Sequence, residues 1–343
     1  MQTEITASGN LLNEKGELNK AGYARKLLLS YDRKAIKAGF WRIKEWDYYL
    51  VSNGDFAVAL TIADNSYMAL ISVSFLNFRN PFYKTSSVIK PFPFGKLKLP
   101  LTSIKGNLEY EDKRIQISFA HTEDGRRLRC HMKRFDGEKD FACDLHLSDE
   151  PADSMVIATP FKEDRKAFYY NQKINCMRAS GEVRYGTDKF SFQPENTFGT
   201  LDWGRGVWTY KNTWYWGSAS GIVEGKTFGF NIGYGFGDTS AASEDMLFYD
   251  GKAHKLDQVT FHIPMEDGKY EYMKPWRFSS NDRRFERDFM PVLDRSDYTS
   301  AIVISSDQHQ VFGTFSGKAV LDDGTVLLLK DFHGFAERVA NKW

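Results

Sequence analysis

At 343 residues the chain is longer than the roughly 250–300 residues at which one hydrophobic core stops growing, so two domains or one large all-β unit are expected. It is 42% hydrophobic and 27% charged, ordinary for a globular protein, but its aromatic share of 15% is high and suits pleated, half-buried surfaces. With 46 lysines and arginines against 45 acids, the charge balance offers no electrostatic basis for nucleic-acid binding and no acidic tail.

The N-terminus lacks a positive start followed by an apolar core, so no secretory signal is expected. No apolar run reaches the length of about 18 residues that a transmembrane helix needs. Cys130, Cys143 and Cys176 are odd in number and show no C-x-x-C spacing, which points to reduced thiols in a cytoplasmic protein.

Residues 1–45 are expected to form an N-terminal segment with short helices. In "NKAGYARKLLLSYDRKAIKAGFWRIKEW" apolar residues fall three and four apart among lysines and arginines. One or two amphipathic helices fit this pattern, as does an irregular lead-in packed on the first domain. A membrane-surface role is a further option for so basic a stretch.

From Tyr48 the pattern becomes that of short strands. Asn53-Gly54-Asp55, Asp64-Asn65-Ser66 and Asp124-Gly125 mark hairpin turns between runs such as "FAVALTIAD", "RIQISFA" and "RLRCHMKRF". The segment "NPFYKTSSVIKPFPFGKLKLP" breaks the rhythm with prolines at 81, 91, 93 and 100, which demand an edge position or an ordered loop.

A second series of strands follows residue 195, with a glycine-rich strand "FGFNIGYGFG" and a closing hairpin at Asp322-Asp323-Gly324. Ser180-Gly181 and Ser316-Gly317 each precede a strand, a turn and a strand, as two tandem barrels would show. No strand is followed by a crossover helix, so a parallel doubly wound sheet is disfavoured. The expected fold is all-β: two tandem antiparallel lipocalin-like (calycin-like) barrels, over residues 46–196 and 197–343, with the aromatic site strand in the second.

The candidate site lies in "LDWGRGVWTYKNTWYWGSASG", residues 201–221, which holds four of the eight tryptophans. On a strand, Trp208, Tyr210, Trp214 and Trp216 share one face. Buried indoles need N–H partners, so this stripe suits a polar-lined cleft as well as core filling. Asp202 and Arg205 sit between glycines, either as a salt bridge at a barrel corner or as an acid/base with an oxygen-binding cation. Glu244 follows the small "TSAAS" run, where an aromatic pocket would raise its pKa into the range of a neutral-pH acid. No HExxH, Walker, GxSxG or nucleotide-binding GxGxxG arrangement appears, so neither a metal nor an organic cofactor is expected.

"FGTLDWGRGVWTYKNTWYWGSASG", "SEDMLFYDGKAHKL" and "GTFSGKAVLDDGTVLLLKDFHGFAERV" together resemble the bacterial family known as domain of unknown function 2804. The resemblance runs over nearly the whole chain and brings no activity with it. More distantly, the two-barrel build is similar to that of carotenoid hydratases and calycin-like fungal cyclases, which implies an aromatic pocket between barrels served by acidic side chains. This is analogy at the level of fold.

Two functions are therefore expected. One is a cofactor-independent acid/base enzyme acting on a small organic or sugar substrate at the barrel junction, of hydratase, lyase or cyclase type, or a glycoside hydrolase. Asp202, Glu244 and Arg205 would be catalytic, and Trp203, Trp208, Tyr210, Trp214 and Trp216 would hold the substrate. The other is a non-catalytic, lipocalin-like binding protein for a hydrophobic small molecule.

Overall fold

The computed structural model describes residues 2–301 and 304–342. Two large antiparallel sheets, each curled into a half-barrel, make up the molecule. The main path of the first sheet runs, in spatial order, through the strands Phe82–Pro91, Met68–Asn77, Phe56–Asp64, Ile43–Ser52, Phe198–Val207, Asp164–Tyr185, Lys139–Ser148, Gly125–Asp136, Ile115–Thr122 and Leu108–Glu111. The second runs through Lys252–Lys255, Met246–Tyr249, Lys226–Tyr234, Lys211–Val223, Val326–Lys342, Ile304–Val320, Phe285–Ala301, Trp276–Ser280 and Val259–His262.

The two orders follow one rule. In each sheet the first four strands count backwards, the last strand of the unit lies beside its first, and the remainder count backwards from there. We call Ile43–Ser52 and Lys211–Val223 the opening strands, and Phe198–Val207 and Val326–Lys342 the closing strands. Asp164–Tyr185 and Ile304–Val320 are the flanking strands beside the closing ones.

The turn chemistry is as expected. Asn53 Oδ1 accepts from the Asp55 and Phe56 amides, and Asp64 Oδ1 accepts from the Ser66 amide, closing the first two hairpins. Asp124 and Asp322–Gly324 likewise lie between antiparallel neighbours. The proline-containing strand Phe82–Pro91 is the edge of the first sheet, where a missing N–H costs no ladder bond.

The two Ser-Gly pairs occupy matching places. Gly181 and Gly317 lie in the flanking strands with φ of 137° and 131°. A Cβ there would meet the Asp144 and Glu286 carbonyl oxygens at 2.1 and 2.4 Å. Only glycine lets the neighbouring backbone approach so closely.

Two expectations change. The N-terminal segment is not α-helical: it consists of the short strands Gly9–Asn10, Gly22–Ala24 and Leu29–Ser30 and two single 3-10 turns, Arg33–Ala35 and Phe40–Arg42. Its apolar residues are used by docking rather than by a helix face. Ile5, Leu11, Leu12, Tyr23, Leu29 and Tyr31 are buried in the core of the first half, and Gly22–Ala24 pairs with the strand Met155–Phe161. Secondly, Phe198–Val207 pairs with Ile43–Ser52 and Asp164–Tyr185 and so closes the first sheet. The chain crosses to the second sheet at residues 208–210, in the middle of the aromatic window.

Each half has its own interior core, and a third apolar cluster lies between them, including Tyr48, Leu50, Trp216, Phe312 and Phe335. A bulge in the flanking strand of the first sheet ties the halves together. There Asn175 Nδ2 donates to Ser218 Oγ (2.8 Å) and the Phe230 carbonyl (3.2 Å). The adjacent Gly229 has no side chain to obstruct this approach, since a Cβ would stand 2.6 Å from Cys176 Sγ.

Candidate functional site

Side chains two apart on a strand share a face, so register fixes what each sheet shows the other. In the first sheet Tyr48, Asp202 and Lys173 are directly opposed on the opening, closing and flanking strands. In the second sheet Trp216, Glu337 and Gln310 occupy the same three places. Each sheet thus presents a row of one aromatic residue, one acid and one donor. The rows face each other: Lys173 Nζ sits 3.9 Å from the centroid of the Trp216 ring, and the Tyr48 and Trp216 rings are 6.1 Å apart.

The donors differ. Lys173 Nζ lies 2.9 Å from Asp202 Oδ2, while Asn171 Nδ2 donates to Oδ1 at 2.6 Å. Glu337 is held by neutral groups, Trp214 Nε1 on Oε1 (3.0 Å) and Gln310 Nε2 on Oε2 (2.9 Å). Burial raises the Glu337 pKa above the ordinary carboxyl value, against the opposing pull of the Trp214 hydrogen bond and the Lys173 charge.

A third acid reaches this place from a loop. Residues 235–245 join the second and third strands of the second sheet, where residues 65–67 suffice in the first. The longer loop folds back on the junction and buries Glu244 and Asp245. Burial pushes the Glu244 carboxyl up to about 7, with Lys173 opposing the shift and Asp202 reinforcing it. The Glu244 carbonyl accepts from Asn231 Nδ2 (2.9 Å), and Asn231 Oδ1 accepts from Trp216 Nε1 (2.7 Å). Gly233 answers to the neighbouring backbone, since a Cβ there would stand 2.8 Å from the Tyr215 carbonyl oxygen, and Glu244 Oε2 lies at an ordinary contact distance of 3.7 Å from the same position.

Asp245 faces the other way. It accepts from the Gly233 and Val259 amides and fastens the loop to its sheet. Of the two adjacent acids, Glu244 is the one tied electrostatically to Asp202 and Lys173.

The aromatic window divides along its register. Trp208, Trp214 and Trp216 line the junction: Trp208 and Trp214 meet at 5.9 Å, both pack on Phe236, and Trp216 packs on Phe335. Trp203 points away, into the first half, against Tyr31 and Tyr170. Tyr210 is half exposed at the crossover, near Lys342.

Arg205 also points away from Asp202, because residues three apart on a strand lie on opposite faces. It is fully buried, pairs with Asp47 at 2.9 Å, and donates to the Trp46 and Pro100 carbonyls. The two charges of "DWGRG" therefore form separate ion pairs on either side of one strand. Arg205 holds that strand and the loop at Pro100 from within.

Lys173, Glu337, Gln310 and Tyr48 are absent from the sequence-based list. Lys173 leaves a trace, since Tyr169, Asn171, Lys173 and Asn175 alternate with Tyr170, Gln172 and Ile174 in a long run. Polar residues at period two inside so apolar a strand mark a second buried face.

An open cavity of about 280 Å³ adjoins the rows. Leu50, Thr200, Ser218, Phe335 and Phe312 line it. Each stands two residues from a row member on the same strand, so the cavity wall and the acids are about 7 Å apart along the strands. His333 Nε2 is buried in this wall without a hydrogen-bond partner among the described residues. Burial pushes the ring pKa down to about 4, leaving a neutral imidazole facing Phe78 and Phe312. Among the described residues no group of three or more His, Cys, Asp or Glu side chains is arranged to hold a metal ion. Nor, among these residues, is any helix long and apolar enough to cross a membrane.

The family model for domain of unknown function 2804 matches residues 2–343. The chain belongs to this family. No match was found among curated proteins. Among solved structures the chain is similar to an AttH-type protein from Nitrosomonas europaea, with a TM-score of 0.56 at 11% identity over 97% of this chain and 99% of that one. It is also similar to kievitone hydratase from Nectria haematococca, with a TM-score of 0.47 at 8% identity over 88% of each chain. The first of these likenesses establishes the two-barrel fold.

Proposed function

We propose that this family member is a cofactor-independent acid/base enzyme whose site is the junction between the two half-barrels, with a small organic substrate entering through the cavity beside it. The observation that carries the reading is Glu244, a fully buried carboxyl with a pKa of about 7, coupled to the Lys173–Asp202 pair. An acid so placed is half protonated at neutral pH and donates a proton without a large penalty.

Hydration of a polarised double bond, or its reverse, uses these groups economically. The Glu244 proton adds to one carbon of the double bond. Water adds to the other, its proton passing to the Asp202 carboxylate, which Lys173 and Asn171 orient. The reverse sequence is elimination of water. Glu337 supplies a second carboxyl across the junction, so glycoside hydrolysis by a pair of acids is the neighbouring reading. Trp208, Trp214 and Trp216 provide apolar walls that exclude bulk water and accept a flat substrate. Arg205 and Trp203, on the far side of the same strand, act as positioning residues.

A specific observation also favours a binding protein: both Asp202 oxygens already carry partners, and a polar-and-aromatic cavity can hold a ligand unchanged. The deciding experiment incubates wild type, Glu244→Gln and Asp202→Asn with conjugated enones and aryl glycosides in ¹⁸O-labelled water, with products analysed by mass spectrometry. Label incorporated by wild type and lost in Glu244→Gln supports the enzyme. Equal binding by all three proteins with no product rejects it in favour of the carrier.

A further inference from the structure

An exposed aromatic surface of the first half carries a separate signal. Phe40 and Trp41, on the 3-10 turn before the opening strand of the first sheet, are 53% and 48% exposed. Phe92, at 55%, and Phe94 come from the loop after the edge strand Phe82–Pro91 and meet them. Ring centroids stand 4.8 Å apart for Trp41–Phe94, 5.2 Å for Phe40–Phe94 and 5.9 Å for Trp41–Phe92.

The cluster is built rather than accidental. Phe92 and Phe94 hold φ of 53° and 49°, a left-handed backbone uncommon for bulky residues. Fixed contacts hold them there: the Phe92 amide donates to the Tyr67 carbonyl (2.9 Å), Phe94 to Ser66 (3.2 Å), and Gly95 to Asp64 Oδ2 (2.8 Å). Pro93 is buried between them, with Phe92 exposed and Phe94 half-buried on either side.

The segments that carry the rings are basic. Residues 33–44 and 84–107, which carry the four rings, contain ten lysines and arginines and no acid, in a chain whose net charge is +1. Some of these cations are engaged: Arg33 with Glu45, Arg42 with Asp164, Lys84 with Asp136 and Lys90 with Asp112. Lys34, Lys37, Lys96, Lys98 and Lys105 are exposed and form no ion pair among the described residues.

We propose that this aromatic cluster and its lysines dock the protein on an anionic lipid bilayer. Trp and Phe rings suit the headgroup–acyl boundary, and lysines as mobile point charges suit an anionic surface. A single-stranded nucleic acid is the weaker fit, because the ring faces are occupied by one another's edges and both nearby arginines are already paired.

Flotation of the full-length protein with vesicles of phosphatidylcholine, alone or with about 30% phosphatidylserine, tests the proposal. Wild type is expected to float with the anionic vesicles and to release as salt rises from 0.1 to about 0.5 M. The double variants Trp41→Ser/Phe92→Ser and Lys96→Glu/Lys98→Glu should each lose about tenfold or more in binding, with unchanged circular dichroism, since all four residues are exposed. Absent flotation, or flotation equal in all three proteins, overturns the proposal. It also falls if these variants lose affinity for poly(U) and not for vesicles, or if they only dissolve a dimer. The readout does not involve the acids at the junction, so it stands or falls apart from the enzymatic reading.

Discussion

The two sheets put the same three strands in the same register, yet they solve the burial of a carboxylate differently. In the first, Asp202 is neutralised by the Lys173 ammonium; in the second, Glu337 is held by the neutral donors Trp214 and Gln310. An ion pair taken out of water survives when its geometry is good, whereas an acid given only neutral donors is pushed towards its protonated form. Apposing the two rows places an ionic element and a protonatable element on opposite walls of one junction. The loop at 235–245, for which the first sheet has only a tight turn, then adds Glu244, coupled to the Lys173–Asp202 pair. Asymmetry imposed on a repeated scaffold is what turns a packing interface into a candidate site.

The largest expected effect comes from breaking that asymmetry at the inserted loop. Once a turned-over substrate is found, Glu244→Gln should lower kcat by about 10²–10⁴-fold, the usual contribution of a positioned general acid. The wild-type rate should fall as pH rises through about 7, where Glu244 ionises. A rate that is flat across that range, or a Gln variant of full activity, removes Glu244 from the mechanism.

Next is Lys173→Gln, which gives the first row the donor of the second. Asp202 then stays buried without its cation, and unfolding in urea should show a loss of about 3–5 kcal/mol. Lys173→Gln/Asp202→Asn should recover most of it, because the uncompensated charge is removed as well. A single variant as stable as wild type would mean that the pair contributes little.

How far the sequence alone leads follows from the same contrast. Strand alternation, hairpin turns and the matching Ser180-Gly181 and Ser316-Gly317 pairs are local signals, and they point to two antiparallel units. Asp202, Glu244, Trp208, Trp214 and Trp216 stand out because they sit in or near a conspicuous window. Trp203 and Arg205 share that window, but strand parity sends both to the opposite face. Tyr48, Lys173, Gln310 and Glu337 join the site only through long-range register, between strands more than a hundred residues apart in the case of Tyr48 and Asp202. The N-terminal segment shows the converse failure. Its helical spacing is genuine, but docking Ile5, Leu11, Tyr23 and Tyr31 on the first core stabilises an extended path.

A pH series sharpens the comparison further. The folded-state pKa of Glu244 lies near 7 against an ordinary 4.5, so the native protein binds the extra proton between these values. Stability from this group is therefore complete below about pH 4.5 and is lost as pH rises to about 7. The loss is about 3 kcal/mol, and Glu244→Gln should abolish it. Relative to wild type, the variant should gain that much in urea unfolding between pH 5 and pH 8. A constant difference across the range would show that Glu244 is ionised throughout.

The smallest effect concerns a mismatch inside the barrels. Gly181 is paired with Leu145, and its counterpart Gly317 is paired with Arg287. Both partners are buried, so one half fills this interior place with an apolar side chain and the other with a guanidinium. Arg287 Nε and Nη2 have no hydrogen-bond partner among the described residues, and Nη1 reaches only the Glu286 carbonyl at 3.2 Å. Burial pushes its pKa down to about 9, so it remains cationic at neutral pH without a counter-ion among the described residues. Removing an unpaired buried charge in favour of an apolar residue of similar length is neutral or stabilising when the space can close. Arg287→Leu, which copies the first half, should therefore raise stability by about 1–2 kcal/mol in urea unfolding at pH 7. A loss of stability would mean that the contact of Arg287 with the Phe285 ring, with the guanidinium carbon 5.0 Å from its centroid, outweighs the cost of burying the charge.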